Sequence, residues 1–487
     1  MNKIKRFLAG SLAVMMAASV MTACGKDEKK NEKGFDAEAN AAAAKVGKLV
    51  LTKADRIKQE VEGSEASKKT LKIYTWNEEF KDRLRAFYPE YDAEKSVVGE
   101  KEYLKDGTEI VWVTTANENN AYQNKLDEDL AKQAKSDDKI DIFLVEADYA
   151  LKYVNGPYTK PVSELGVTDA DLGDMYEYTK TVCTDANGDL QGVSWQATPG
   201  LFAYRRDIAS EVLGTDDPAK IQEMLSDWTK FDDVAKKMKD AGYYMLSGYD
   251  DAFRTFSNNV KSTWVNKNLE IVVDDNILNW IDQTKKYTDE GYHNGTSLWA
   301  PEWSANQGSA GKVFGFFYST WGIDFTLKDN AQDKVGEKDG LYGKYAVCEG
   351  PQSYYWGGTW IIAADGTDNP ELVGDIMKKL TCDATIAEDI TNKTQDFTNS
   401  KTAMEKLAAS DFQSEFLGGQ NHIALFAKSA PNIDISNMGP YDQGLNEAIQ
   451  SAMKDYFTGK ISKDKAFKNF YTAAIEKYPE LKKPASK

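Results

Sequence analysis

Short apolar runs alternate with amphipathic helical segments from about residue 70 to the end of the chain, and this alternation restricts the fold most. Runs typical of buried strands are TLKIYTW (70–76), IDIFLVEA (140–147) and GTWIIAA (358–364). The last is followed by NPELVGDIMKKL (369–380), which places its apolar residues at helical spacing behind an early proline. Strands that alternate with helices predict an α/β protein with largely parallel sheets.

Helix ends can be located in the same way. The segment TKFDDVAKKMKDAG (229–242) carries Phe231 and Val234 on one face. Thr229 and Asp232 have the spacing of a capping box, and Gly242 marks the end. The sequence therefore predicts a helix that opens on Thr229.

The length of the chain sets the number of domains. The sequence has 487 residues, and the first convincing strand begins at residue 70. The remainder, about 415 residues, exceeds what one hydrophobic core normally organises. We therefore expect two domains.

The N-terminus has the layout of an export signal. Three basic residues occur in the first six, an uncharged run extends from Phe7 to Ala23, and Cys24 follows. Residues 21–24 read Met-Thr-Ala-Cys and resemble the lipobox of bacterial lipoproteins. The resemblance implies that residues 1–23 are a signal peptide and that Cys24 becomes a lipidated N-terminus, which acyl chains anchor to the cell membrane. The alternatives are an ordinary secretory signal with an incidental cysteine and an uncleaved membrane helix.

The stretch that follows Cys24 is charged and alanine-rich, with almost no large apolar residue. Such a composition cannot bury enough surface to offset the entropy of ordering. We therefore expect residues 24–69 to be a flexible tether.

Composition excludes several classes of function. The formal charge of −17 argues against nucleic acid as a partner. Only two histidines occur, which argues against a catalytic site that activates a nucleophile with histidine and against a zinc site rich in histidine. No Walker or Rossmann glycine motif is present. We predict no cofactor, no metal and no enzymatic activity. The cysteines other than Cys24, namely Cys183, Cys348 and Cys382, are expected to be buried free thiols, although one pair could form a disulfide.

Several stretches, in the right order, resemble the extracellular solute-binding proteins of bacterial ABC importers, in particular the carbohydrate-binding group. They are IDIFLVEADYALKYV (140–154), GDLQGVSWQATPGLFAYRRDI (188–208), GKVFGFFYSTWGI (311–323) and the segment 350–381. The likeness covers most of residues 70–480.

The resemblance implies a two-lobed periplasmic-binding-protein-like α/β fold with a hinge and a cleft between the lobes. Lobe one is expected to comprise residues 70–198 plus 351–395, and lobe two residues 199–350 plus 396–487. The implied function is a monomeric, membrane-anchored binding component on the extracellular face of the cell membrane. It would capture a sugar or oligosaccharide by hinge closure and deliver it to the permease.

The aromatic residues support a carbohydrate ligand independently. The chain has 11 tryptophans, and a tryptophan plate matches the C–H face of a pyranose while polar groups bind its hydroxyls. Tryptophans outside helical stripes, and polar residues after predicted strand ends, are the candidate ligand contacts. They are Trp76, Asn77, Glu78, Asp148, Trp299, Trp303, Trp321, Trp356 and Trp360. Each tryptophan has the alternative of a core position, and each polar residue that of a helix cap or a solvated acid.

Two other functions fit the sequence. The same fold could bind a polyamine, a peptide or another small solute, because the negative charge permits a cationic ligand. An exported glycosidase with two carboxylates is a further alternative, although no motif nominates such a pair.

Overall fold

Strands fall into two groups in the structure, a computed structural model that describes residues 34–485. They are β1 (Thr70–Thr75), β2 (Glu102–Tyr103), β3 (Glu109–Thr114), β4 (Ile142–Glu146), β5 (Thr159–Lys160), β6 (Gly192–Ser194), β7 (Gly200–Arg205), β8 (Leu246–Gly248), β9 (His293–Thr296), β10 (Gly315–Ser319), β11 (Tyr345–Cys348) and β12 (Thr359–Ala364).

Helices separate most of these strands and cover the sheets. They are α1 (Ala37–Ala44), α2 (Glu79–Phe87), α3 (Ala121–Leu130), α4 (Ala150–Val154), α5 (Asp169–Leu172), α6 (Glu177–Val182), α7 (Arg206–Leu213), α8 (Pro218–Leu225), α9 (Trp228–Asp240), α10 (Phe253–Ser257), α11 (Asp275–Glu290), α12 (Pro301–Ala305), α13 (Thr320–Gly322), α14 (Lys328–Ala331), α15 (Pro370–Cys382), α16 (Ala384–Thr394), α17 (Lys401–Ala408), α18 (His422–Ser429), α19 (Asp442–Phe457) and α20 (Lys463–Lys477).

The first lobe is built around a seven-stranded sheet of order β2-β3-β1-β4-β12-β5, with β6 also paired to β12. Side chains of β4 alternate between its two faces, as the period of a strand requires. Ile142 and Leu144 pack in the core that α2 and α15 share, while Phe143 faces the opposite core and its ring lies 5.8 Å from that of Tyr153 in α4. Both faces of this sheet are therefore covered.

The second lobe is organised by an antiparallel sheet of order β10-β7-β11 and a small parallel pair, β8–β9. Phe202 of β7 lies opposite Phe317 of β10, and both rings pack on Phe231 of α9, with centroids 5.2 and 5.8 Å away. Trp280 of α11 packs edge-on against Phe457 of α19, at 5.3 Å. The aromatic residues of two strands and three helices thus contribute to the core of this lobe.

The sheets are less parallel than the sequence predicts. Among the described strands, parallel pairing occurs only in β1–β3, β1–β4 and β8–β9. The strands β6 and β12 both enter the first sheet antiparallel to a neighbour, because each lies next to a point where the chain passes between the lobes. The prediction of largely parallel sheets is therefore wrong, while the α/β class and the two lobes are confirmed.

Two crossings between the lobes lie side by side. The chain leaves the first sheet after β6 and enters the second at Gly200, and it returns between Cys348 and Thr359. Pro199 bridges Tyr355, and the Gly200 amide donates to the Tyr354 carbonyl at 2.7 Å. A β-carbon on Gly200 would lie 2.1 Å from the Tyr354 ring, so only glycine fits there. The exact lobe limits stay a prediction.

The predicted flexible tether is wrong for residues 34–69. This segment begins with α1 and then runs extended against both lobes. The Asn40 amide donates to the Val273 carbonyl at 2.8 Å, and the Lys53 ammonium donates to the Thr159 hydroxyl at 2.6 Å. Hydrogen bonds to the two lobes hold this segment in place, although the segment has no apolar core of its own. The predicted signal peptide 1–23, the lipidation site Cys24 and residues 24–33 lie outside the described residues.

The three remaining cysteines are free thiols. Cys183 and Cys348 are buried, and burial raises the pKa of both thiols; Cys382 is half-buried. The prediction of free thiols is confirmed. Between residues 34 and 485, no helix combines the length and the apolar character that a membrane crossing requires.

Candidate ligand-binding cleft

Three tryptophans meet where the second lobe faces the crossings, and we call them the tryptophan cluster: Trp299, Trp321 and Trp356. The ring centroids of Trp299 and Trp321 lie 6.2 Å apart, with planes inclined by 21°. Trp356 lies 5.8 Å from Trp299 and 5.4 Å from Trp321. Trp299 is 43% exposed, Trp321 half-buried and Trp356 buried. Of the three rings, that of Trp299 is therefore the most open to solvent, and the other two pack against it.

The backbone at Trp299 is strained. This residue has φ of +67°, a left-handed conformation that costs a non-glycine residue about 1–2 kcal/mol. It sits in the loop between β9 and α12, where the preceding amide of Leu298 donates to Asp250 at 3.2 Å. Bulky residues held in this region cluster at functional sites, where the surrounding structure enforces them. The strain singles out Trp299 among the tryptophans.

Trp321 is fixed by the second crossing. It belongs to α13, directly after β10, and its indole N–H donates to the Trp356 carbonyl at 2.9 Å. A β-carbon on Gly357 would lie 3.2 Å from the Trp321 indole nitrogen and 3.5 Å from Glu146 Oε1. Gly357 has φ of +70° and no side chain. The crossing therefore leaves room for Trp321 of the second lobe and Glu146 of the first lobe to approach it.

An ion pair joins the lobes beside the cluster. Arg254 of α10 pairs through both guanidinium nitrogens with Asp148, which follows β4, and the Nη1 to Oδ1 distance is 2.5 Å. The guanidinium carbon lies 6.0 Å from the Trp356 ring centroid. Glu146 Oε2 accepts from the Asp148 amide at 3.0 Å. Burial raises the pKa of Glu146 to about 8; the charge of Asp148 adds to the increase and that of Arg254 opposes it.

A small cavity of about 40 Å³ lies on the other side of this ion pair. Its lining includes Asp148, Arg254, Tyr355 and, from α19, Asp442. One carboxylate oxygen of Asp442 accepts from the Gly439 amide at 2.9 Å, while the other is buried and has no hydrogen-bond partner. Burial raises the pKa of Asp442 to about 7. The cavity is large enough for about one water-sized group.

A polar network fixes the crossings below the cluster. The Gln196 amide donates to Glu79 at 2.6 Å and to Asp396 at 2.9 Å. Thr320, next to Trp321, donates to the other oxygen of Asp396 at 2.6 Å. The Gln196 oxygen accepts from the Thr359 amide at 3.1 Å. These bonds link the second lobe to both crossing strands and hold the backbone beneath the tryptophans.

The predicted site residues divide into groups. Trp299, Trp321 and Trp356 lie together, and Asp148 joins them through Arg254. Trp76 is half-buried on the first lobe, 5.3 Å from Tyr122. The structure thus brings four of the nine predicted residues to one place.

Two predicted tryptophans belong to the cores. Trp360 and Trp303 are each 1% exposed. The indole of Trp360 donates to the Thr179 carbonyl at 2.8 Å, and that of Trp303 to Asp251 at 2.9 Å. Direct ligand contact through either ring is not supported, because both faces are covered by protein. The Trp303 ring instead packs against that of Trp299, with ring centroids 5.3 Å apart.

Asn77 and Glu78 serve the start of α2. Both are exposed; Asn77 accepts from the Glu79 amide at 3.1 Å, and Glu78 pairs with Lys81 at 2.6 Å. These are the helix-cap and solvated-acid alternatives that their positions allow. The structure places neither in contact with the tryptophan cluster or with the Asp148–Arg254 pair.

Four further residues were missed by the sequence: Glu146, Gln196, Arg254 and Asp442. Glu146 is the last residue of β4, so the strand-end argument that selected Asp148 should also have selected Glu146. Arg254 and Asp442 lie in helices of the second lobe and have no local signal. The arrangement combines an aromatic wall with charged and amide groups, which suits a polar ligand with an apolar face. In the described part of the chain, no group of His, Cys, Asp and Glu side chains could hold a metal ion.

A model of a known family matches this chain. The family model described as bacterial extracellular solute-binding protein matches residues 101–431, more than half of the chain. No curated protein sequence matches this chain.

Solved structures match over most of the chain. An extracellular solute-binding protein of family 1 has a TM-score of 0.67 at 16% identity, and the match covers 84% of this chain and 99% of that one. The ABC-transporter-associated binding protein of B. animalis subsp. lactis Bl-04, solved with β-1,6-galactobiose, has a TM-score of 0.61 at 16% identity, covering 86% and 100%. The galacto-N-biose/lacto-N-biose I-binding protein of Bifidobacterium longum, solved with lacto-N-biose, has a TM-score of 0.56 at 14% identity, covering 84% and 96%. At these identities the likeness shows the two-lobed fold.

Proposed function

Because the chain belongs to the family of bacterial extracellular solute-binding proteins, we propose that it captures a sugar or oligosaccharide and delivers it to the permease of an ABC importer. The ligand is held between the lobes, and contacts to both lobes favour the closed arrangement. No bond in the ligand is broken, so no residue is assigned a catalytic role.

The tryptophan cluster is the observation that carries this proposal. Trp299 presents an exposed indole face at the cost of a strained backbone, while Trp321 and Trp356 support it from behind. An indole face of this kind matches the C–H face of a pyranose ring. The charged pair Asp148–Arg254 lies within reach of Trp356 and offers partners for hydroxyl groups. The fold neighbours solved with β-1,6-galactobiose and lacto-N-biose support a carbohydrate ligand.

Lipid anchoring is part of the proposal. The Met-Thr-Ala-Cys stretch that ends at Cys24 supports a position on the extracellular face of the cell membrane, held by acyl chains on that cysteine. The proposed form of the protein there is a monomer. Radiolabelled palmitate fed to cells that express the full chain should be incorporated into the protein. A Cys24→Ser variant should incorporate none and should appear in the medium or remain unprocessed.

Ligand binding can be tested by tryptophan fluorescence and thermal melting of the purified protein. We expect one sugar or oligosaccharide from a screen to shift the emission and raise the melting temperature, without being hydrolysed. Trp321→Ala should weaken that binding by about 5–30-fold, on the scale of one to two kcal/mol for an aromatic contact. Trp228→Phe is the matched control, since Trp228 packs on Phe256 away from the cluster.

Other outcomes of the screen have distinct meanings. Stabilisation by a polyamine or a peptide, with no response to any sugar, would retain the solute-binding role and reject the carbohydrate ligand. Consumption of the sugar would instead indicate a glycosidase with two carboxylates.

A further inference from the structure

Residues 34–69, which we call the strap, are fastened to the second lobe at their N-terminal end. The Asn40 side chain exchanges two hydrogen bonds with the backbone of Val273, both 2.8 Å. The Asn266 amide donates to the Ala43 carbonyl at 3.0 Å, and the Leu49 amide donates to the Val265 carbonyl at 3.4 Å. Asn40 and Asn266 are both buried. This part of the strap is therefore a built element of the second lobe.

Further contacts extend along the same lobe. The Phe35 ring stacks on Phe467 of α20, with centroids 4.5 Å apart and planes inclined by 24°. The Lys48 ammonium donates to the Ser436 carbonyl at 2.6 Å. Ser436 adjoins Ile435 and Asn437, which line the cavity beside the Asp148–Arg254 pair. The strap thus reaches the edge of the cleft before it leaves the second lobe.

The next part of the strap is fastened to the first lobe. The Lys53 ammonium donates to the carbonyls of Val154 and Gly156, at 2.8 and 2.7 Å, and to the Thr159 hydroxyl. Arg56 makes a two-pronged pair with Glu164, both distances 2.9 Å. Such two-pronged, charge-assisted contacts hold both position and direction.

The strap continues along this lobe to its first strand. The Glu60 amide donates to the Ala134 carbonyl at 2.8 Å, and the Ser64 amide to the Asp137 carbonyl at 2.7 Å. The strap therefore spans both lobes and enters β1 only after it has been tied to each.

The bridge between the two fastened parts is short. Four residue steps separate Leu49, the last contact on the second lobe, from Lys53, the first on the other. A fully extended chain covers at most about 14 Å over that distance. Val50 in this bridge is 76% exposed, whereas Leu51 is half-buried. The lobes can separate at this edge only until the bridge is fully extended, unless a set of strap contacts breaks.

We propose that the strap is a built-in limit on the opening of the cleft, which keeps the ligand-free lobes near the closed arrangement. A ligand that binds the closed arrangement then meets a protein that already populates it, so the apparent affinity is higher than with a free strap. The claim about opening does not depend on the nature of the ligand, whereas the claim about affinity rests on the proposed function.

The test lengthens the bridge without removing a contact. Ten Gly/Ser residues inserted between Val50 and Leu51 add a mean reach of about 17 Å. The distance between lobes is measured by pulsed dipolar spectroscopy on ligand-free protein, with spin labels at Glu128→Cys and Lys428→Cys and with Cys24 and Cys382 replaced by serine. Both label positions are exposed, one on each lobe. The matched control carries the same insertion after Gly99, in an exposed loop of the first lobe.

The bridge insertion should broaden the distance distribution and lengthen its mean by about 5 Å or more, well within the added reach. The control insertion should leave the distribution unchanged. The double variant Lys53→Ala/Arg56→Ala weakens the attachment of the strap to the first lobe, while the backbone bond of Ala54 to Asn155 remains. It should shift the distribution in the same direction by a smaller amount. Superimposable distributions in wild type, bridge insertion and double variant would overturn the proposal. A broadened distribution without any sugar response in the fluorescence screen would retain the strap and reject only the carbohydrate ligand.

Discussion

Arg254 and Asp148 pair their side chains across the two lobes, and the guanidinium also lies against the Trp356 ring. The two side chains are 23% and 20% exposed, so the pair is largely removed from water. Glu146 lies directly beside it, bonded to the Asp148 amide. One cation therefore compensates two neighbouring carboxyl groups at the point where the lobes meet.

Removing that cation should destabilise the protein. Arg254→Gln leaves Asp148 without its partner, and we expect the free energy of unfolding to fall by about 1–3 kcal/mol, less than for a fully buried pair because some solvent reaches it. Denaturant unfolding of Arg254→Gln, Asp148→Asn and the double variant measures the coupling. The free energy of unfolding of the double variant should be little lower than that of Arg254→Gln alone. Additive losses would contradict a direct interaction.

Stability should fall as the pH rises from about 5 to 8. Burial raises the pKa of Glu146 to about 8 and those of Glu79, Asp251 and Asp442 to about 7. For these four groups the folded state binds more protons than the unfolded state in this window. Burial lowers the pKa values of His293 and His422, which oppose the effect in the lower half of the window, but the four carboxyl groups outnumber them and the net slope of stability against pH is negative. Each group contributes up to about 1.4 kcal/mol per pH unit. Denaturant unfolding at several pH values measures the total slope.

A single substitution isolates the part due to Glu146. Glu146→Gln should make the slope shallower, since the amide does not titrate. Glu302→Gln changes an exposed acid and serves as the control; it should leave the slope as it is in the wild type. A stability that increases with pH over this window would contradict the assignment of raised pKa values.

The backbone strain at Trp299 should be measurable as a difference between two small residues. Glycine adopts φ of +67° without penalty, whereas alanine does not. We expect Trp299→Gly to be more stable than Trp299→Ala by about 1 kcal/mol, despite the extra entropy that glycine has in the unfolded chain. Both variants lose the indole and should bind sugar equally weakly. Greater stability of the alanine variant would argue against a strained backbone.

Gly200→Ala should disrupt the first crossing. The added carbon would lie 2.1 Å from the Tyr354 ring, and that ring is held by hydrogen bonds from its hydroxyl to two carbonyls, those of Leu201 and Tyr318. We expect a loss of about 3 kcal/mol or more, seen as a lower melting temperature or as failure to accumulate. A β-carbon on Gly173 would have no atom closer than 3.6 Å. The free energy of unfolding of Gly173→Ala should therefore lie within about 0.5 kcal/mol of the wild-type value.

Local patterns predicted individual elements well. The run 70–76 contains β1 (Thr70–Thr75), and Pro370 opens α15 as its position suggested. The cap of α9 lies two residues before the predicted cap, Thr229. Asp227 is the observed cap and accepts from the Lys230 amide at 2.9 Å. Aspartate and threonine can both cap, so the sequence alone did not distinguish them.

Long-range pairings account for what the sequence did not predict. Arg254 and Asp148 are 106 positions apart, and no periodicity in either helix or strand connects them. The fixed conformation of residues 34–69 also depends on partners elsewhere in the chain, and not on the composition of the segment itself. Trp360 was predicted as a site residue because it lies outside any helical stripe. It sits on β12, and the position of β12 within the sheet explains its burial.

The strap also affects the order in which parts of the protein can fold during synthesis. Asn40 binds a residue 233 positions later in the chain, and Gly34 contacts Asp464, 430 positions later. Val273 is made when just over half of the chain is complete, and Asp464 only when almost the whole protein has been synthesised. The N-terminal end of the strap, although translated early, is therefore among the last parts to find its place. A chain cut short before α20 loses the partners of Gly34 and Phe35.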